Sequence, residues 1–178
     1  MKNIILYLII TASLFSNNSW KEIHRAVYNE DYKAIDNILC KNPQKVHVLT
    51  KNDLTPLHLA VKMRNLQLIK LFLKNGADID AQDKQGRTPL LYAISQRRTK
   101  LAKFLISKGA DYELENSEGI TPLHQASFSG DIEIVQLLLN IGVEVGVKTK
   151  SGTTPFEIAI AKRNFRIADY LLFYGKSN

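Results

Sequence analysis

The sequence predicts an all-α solenoid of stacked helix-turn-helix units, and three observations carry that prediction. A Thr-Pro pair returns at Thr55, Thr88, Thr121 and Thr154, a constant interval of 33 residues. A glycine stands 21 residues after each of these threonines, at Gly76, Gly109, Gly142 and Gly175. Between threonine and glycine, apolar residues recur at helical spacing and leave only a narrow polar stripe.

Each Thr-Pro pair starts a helix. The threonine hydroxyl accepts from an unpaired first-turn amide, and the proline already has helical φ and has no amide to leave unsatisfied. The glycine tolerates the left-handed conformation that closes the second helix, so each unit reads helix, turn, helix, loop. An alanine five residues after each threonine, Ala60, Ala93, Ala126 and Ala159, lets the first helix approach its neighbours closely. In the second helix the polar stripe is Gln67, Lys70 and Lys74, then Lys100, Lys103 and Ser107, then Glu133, Gln136 and Asn140. Most of that cylinder is apolar, so such a helix needs neighbours on both sides.

A degenerate unit precedes these four. It has Lys21 in the threonine position, Ile23 and His24 where a later unit has Leu123 and His124, and Ala26 in the alanine position. Asn37 replaces the apolar residue found at Leu71, Phe104, Leu137 and Tyr170, as expected of an outer face turned to water. Before it, Met1 to Asn3 is basic, Ile4 to Phe15 is almost wholly apolar, and Ser16 to Ser19 is small and polar. That is the order of a secretory signal, with an uncleaved anchor or a cap on the first unit as the other readings. As a helix the apolar stretch spans about 18 Å, short of a roughly 30 Å hydrocarbon core, so no stable membrane span is expected. The domains expected are a signal-like segment at 1–19 and a repeat domain at 20–175, divided near 20–50, 51–83, 84–116, 117–149 and 150–175.

Thr55-Pro-Leu-His58-Leu-Ala60, Thr121-Pro-Leu-His124-Gln-Ala126 and the Gly76-Ala-Asp78 and Gly109-Ala-Asp111 ends resemble ankyrin repeats. The resemblance runs from about Trp20 to Gly175. It implies an ankyrin-repeat solenoid, an L-shaped stack of antiparallel helix pairs with hairpin-like loops projecting from one edge. It also implies a binding surface for another protein, no cofactor and no catalytic activity. The family's glycine between the two helices is present as Gly130 but replaced by Arg64, Arg97 and Arg163. If those turns stay left-handed, each arginine costs about 1 kcal/mol. The histidine of the motif gives way to Leu91 and Glu157, so the third and fifth units are expected to lean on their neighbours.

Residues that invite a catalytic reading fall away on their spacing. His24, His58 and His124 sit at equivalent repeat positions, where the resemblance has the imidazole tie adjacent loops, and His47 lies in a linker. No His-Glu-x-x-His pair, Gly-x-Ser-x-Gly turn or complete phosphate loop is present. Cys40, the single cysteine, excludes an internal disulfide and is expected to be an accessible thiol.

Charge and family geometry select the candidate surface. The formal charge is +7, and residues 84–116 hold seven basic side chains, Lys84, Arg87, Arg97, Arg98, Lys100, Lys103 and Lys108, against three acidic ones. These could steer an acidic partner, an anionic membrane or nucleic acid, although they fall on three faces and no nucleic-acid module is recognised. By the family's geometry the concave side and loop tips include Tyr28, Lys62, Met63, Lys84, Gln85, Arg87, Tyr92, Gln96, Phe128 and Ser129. Tyr28, Met63, Tyr92 and Phe128 are apolar or aromatic where the stack does not demand it, and such residues supply most of a contact's energy. Phe173 and Tyr174 at the last unit suggest self-association, or else a lid over its open end.

Overall fold

The computed structural model describes residues 22–177, and all regular structure among them is helical. The signal-like segment, Trp20 and Lys21 lie outside the described residues. Five pairs follow one another: α1 (Glu22–Tyr28) with α2 (Tyr32–Lys41), α3 (Pro56–Lys62) with α4 (Leu66–Lys74), α5 (Pro89–Ser95) with α6 (Thr99–Ser107), α7 (Pro122–Ser129) with α8 (Ile132–Asn140), and α9 (Pro155–Ala161) with α10 (Phe165–Ser177). No described helix is long and apolar enough to cross a membrane.

Local chemistry sets these starts and stops. Thr55, Thr88 and Thr154 each accept from the amide three residues on, at 3.2 to 3.3 Å, with proline at the first helical position. Such caps contribute about 1 kcal/mol each. At the far ends, Gly76, Gly109 and Gly142 adopt φ of +80°, +89° and +99°. There the amides of Ala77, Ala110 and Val143 reach back to the carbonyls of Phe72, Leu105 and Leu138.

The first helices form an inner row in which each packs on the next, α1 on α3, α3 on α5, α5 on α7 and α7 on α9. Ala60, Ala93, Ala126 and Ala159 are fully buried there, the close approach that a small side chain permits. The second helices form an outer row that buries Ile35, Ile69, Phe72, Leu105, Val135 and Leu138 and exposes the polar stripe. Fully burying a side chain such as Phe72 contributes about 2 to 3 kcal/mol. Asn37 is exposed where Leu71, Phe104, Leu137 and Tyr170 are half-buried. The Cys40 thiol is exposed as well.

Two local expectations are corrected. The linker holding His47 is a short 3-10 helix, Pro43–His47, because Asn42 accepts from the Gln44 amide and Pro43 presets the first turn. Gly175 does not end its helix, which runs on to Ser177. Glycine permits a left-handed turn without compelling one. Here the Tyr174 hydroxyl donates to the Leu139 carbonyl at 2.7 Å and its ring lies 6.4 Å from that of Tyr170, which holds the last turn against the preceding unit.

Candidate partner-binding surface

The inner row presents an exposed position in every unit, seven residues after the threonine position: Tyr28, Lys62, Ser95, Phe128 and Ala161. Tyr28 and Phe128 are 54% and 51% exposed. The Lys162 ammonium sits 4.1 Å from the Phe128 ring centroid, a cation–π contact made while the residue stays half exposed. Of the neighbouring candidates, Met63 is half-buried against the core, Gln96 ends α5, and the Ser129 hydroxyl accepts from Gln125 at 3.2 Å.

Tyr92 departs from its expected place. It is 7% exposed, and its hydroxyl donates to Asp83 Oδ2 at 2.6 Å. Arg87 closes the arrangement with two bonds to the same oxygen, at 2.9 and 2.8 Å, while its guanidinium carbon lies 4.6 Å from the Tyr92 ring centroid. Lys62 lies at 5.5 Å from that ring, and His58 meets it edge-on at 5.6 Å. The stack therefore does demand an aromatic here, to join the inner helix of the third unit to its own loop. Burial works against ionising Asp83, yet the hydrogen bonds from Arg87 and Tyr92 hold its carboxyl below the ordinary range. Burial, reinforced by Asp83, pushes the Tyr92 hydroxyl well above its ordinary range. The side chain of Arg87 remains 43% exposed and also bonds Gln85 at 2.9 Å, so both stay at the surface with Lys84.

The loop tips are rigid for a reason the Thr-Pro register concealed. Asp83 Oδ1 accepts from the amides of Gln85 and Arg87, and Asn116 Oδ1 from those of Glu118 and Ile120, all at 2.9 Å. Thr50 Oγ1 accepts from Asn52 and Leu54, and Thr149 Oγ1 from Thr153. Positions 50, 83, 116 and 149 share the 33-residue interval, so the signal lay in the sequence as a recurring short polar side chain. Successive tips are also bonded to one another: Lys84 N donates to Asn52 O, Ser117 N to Gln85 O and Lys150 N to Glu118 O, at 2.9 to 3.1 Å.

Histidines complete the tie. His58 Nδ1 accepts from the Thr55 amide at 3.2 Å, so its hydrogen sits on Nε2 and is donated to the Arg87 carbonyl of the next loop at 3.0 Å. His124 does the same between the Thr121 amide and the Thr153 carbonyl. Burial holds both imidazoles below their ordinary pKa, outweighing the carbonyls that favour the charged form. His24 Nε2 lies 2.8 Å from the Val48 carbonyl. Glu157 keeps the capping half of this role, accepting from the Thr154 amide at 2.8 Å.

The turns on the opposite edge are left-handed at Arg64, Arg97 and Arg163, with φ of +61°, +54° and +59°. Of the basic residues in 84–116, Lys84 and Arg87 stand at the loop edge, whereas Arg97 and Arg98 stand at this turn edge with Lys100 just beyond. At the last unit Phe173 is 70% exposed, while Tyr174 is turned inward. Among the described residues no group of three or more His, Cys, Asp or Glu side chains could hold a metal ion.

An array of capped helix pairs, buttressed along one edge by laddered loops, defines a repeat scaffold. The profile described as ankyrin repeats (three copies) matches residues 23–116 and 101–178, and the chain belongs to that family. Ankyrin repeats generally mediate protein–protein interaction. Among curated relatives, 68 residues (38% of this chain) are 32% identical to delta-latroinsectotoxin-Lt1a of Latrodectus tredecimguttatus. Another 61-residue match, 34% of this chain, is 39% identical to an ankyrin repeat protein of Fowlpox virus (strain NVSL). These matches span only 6% and 10% of the two relatives' lengths.

Proposed function

We propose that this chain is a non-catalytic, exported scaffold that binds another protein through its concave inner row and loop tips. The observation that carries this reading is the exposed position repeated in every unit at Tyr28, Lys62, Ser95, Phe128 and Ala161, with two large aromatics displayed in register on helices packed one against the next. Exposed aromatics on a preorganised surface bind with little ordering cost. Lys84, Gln85 and Arg87 extend the surface to the loop tips, and Met63, Gln96 and Ser129 border it. Tyr92 supports it from beneath through Asp83 and Arg87.

Proximity labelling in the native setting tests the reading, with the wild-type chain compared with Lys62→Ala plus Phe128→Ala. Both residues are exposed, so the double variant keeps the fold, and the expected result is loss of the wild-type partners. Recovery of the same partners by both chains overturns the surface. Export rests on the basic, apolar, small-polar order of residues 1–19. Amino-terminal sequencing of the native protein is expected to find a chain beginning near Asn18 to Trp20, and an intact Met1 on protein retained inside the cell counts against it.

A further inference from the structure

We infer that the turn edge carries a second docking groove, between α4 and α6, for an acidic segment of a partner protein that also presents an apolar side chain. This is independent of the concave face, which lies on the inner helices. The groove exists because the outer helices splay: open clefts of about 530, 370 and 370 Å3 lie along α4–α6, α8–α10 and α2–α4. Their linings differ in charge. The α8–α10 cleft is lined by both Arg166 and Asp169, and the α2–α4 cleft by Lys70 and Lys74 together with Asp36. The α4–α6 groove gathers Arg64, Arg97, Arg98 and Lys100 around Leu66, Leu101 and Phe104. Its acidic lining residue, Glu133, is engaged by Lys103 at 2.7 Å.

Three further features point the same way. Arg98 makes no ion pair among the described residues and its enclosed Nε has no hydrogen-bond partner, so the charge of its guanidinium is left uncompensated within the chain. The ammonium groups of Lys70 and Lys108 lie 5.9 and 5.8 Å from the Phe104 ring, so cations flank the apolar floor as well as the mouth. Finally, α2, α4 and α8 begin under Asp31, Asn65 and Asp131, whereas α6 begins at Arg98, which supplies no side-chain acceptor to its first amides. The Asp131 carboxylate receives the Thr99 hydroxyl at 2.6 Å rather than an amide of this helix start. A groove of this size takes a short peptide segment, and its charge selects an acidic one.

Fluorescence anisotropy with a fluorescein-labelled Glu-Glu-Leu-Glu-Glu-Phe-Glu peptide and the full chain tests this. The decisive variant is Arg64→Gly plus Arg97→Gly, because glycine suits both left-handed turns and the fold is retained, as a melting curve verifies. Affinity is expected to fall about tenfold in that variant. Removing the same charge at the fourth loop, Lys148→Ala plus Lys150→Ala, is expected to change it less than twofold. Absence of peptide binding, or an equal loss in both variants, overturns the groove. So does arginine-dependent binding to phosphatidylserine vesicles or a single-stranded oligonucleotide in place of the peptide.

Discussion

The two long edges of this stack impose the same left-handed backbone and enforce it by different means. At the loop edge, Gly86 and Gly119 have φ of +71° and +77°, and a Cβ on either would stand 2.7 Å from the backbone nitrogen of Ser117 or Lys150 in the next loop. At the turn edge, Arg64 and Arg97 hold comparable φ with large side chains. At Gly86 and Gly119 a neighbour's backbone therefore occupies the space that a side chain would need, whereas Asp53 holds the equivalent position of the first loop with φ of +59°. At Arg64, Arg97 and Arg163 the turn edge charges the intrinsic conformational cost, and substitutions that carry chemistry can accumulate there.

The largest expected effect follows from that contrast. Gly86→Ala and Gly119→Ala combine unfavourable φ with a backbone clash, and each should lower the unfolding free energy by about 3 kcal/mol. Gly152 has φ of +82° with nothing near its missing Cβ, so Gly152→Ala should cost only about 1 kcal/mol. Urea titration of the three variants measures the difference. Equal losses at all three would mean that φ alone matters and that the two edges do not differ.

Interactions closed within a few residues were legible from the sequence, and those needing the assembled stack were not. Thr55, Thr88 and Thr154 cap helices using amides three residues away, and the left-handed turns at Arg64, Arg97 and Arg163 follow from a fixed offset. Tyr92 was misread as surplus because its partner, Asp83, belongs to a loop whose geometry depends on the loops beside it. The basic groove was equally hidden. Its arginines come from two units, and its depth depends on how far the outer helices splay. The 33-residue recurrence of Thr50, Asp83, Asn116 and Thr149 could have been read, and it marks the side chains that close each loop.

The histidine ties give a second, intermediate test of the loop edge. His58 and His124 are neutral in the fold, with pKa held below the ordinary 6.5, so the unfolded chain takes up protons first as pH falls. Their contribution is complete above about pH 7 and is lost as pH drops through 6.5 toward the folded-state values. Thermal melts should show the midpoint falling between pH 7.5 and 5.5. His58→Leu removes the acceptor of the Thr55 amide and the donor to Arg87, and should cost about 2 kcal/mol at pH 7.5. With His124→Leu added, the pH dependence should flatten, and a wild-type midpoint that does not move over this range would refute the neutral-histidine tie.

The smallest effect has the opposite sign and belongs to the turn edge. Arg64→Gly, Arg97→Gly and Arg163→Gly each relieve a left-handed non-glycine residue and should stabilise the chain by about 1 kcal/mol. Arg163→Gly lies outside the α4–α6 groove and should leave acidic-peptide binding intact, whereas the other two should weaken it while raising the melting temperature. Opposite movement of stability and binding at Arg64 and Arg97 is the signature of arginines retained for their charge. Gly130 supplies the converse, because a Cβ there would stand 2.9 Å from Asn164 Oδ1, and Asn164 donates to the Ser127 carbonyl at 2.8 Å. Gly130→Ala should therefore cost more than Arg163→Gly gains, and a near-neutral result would show that Asn164 yields and that this turn is as open as the others.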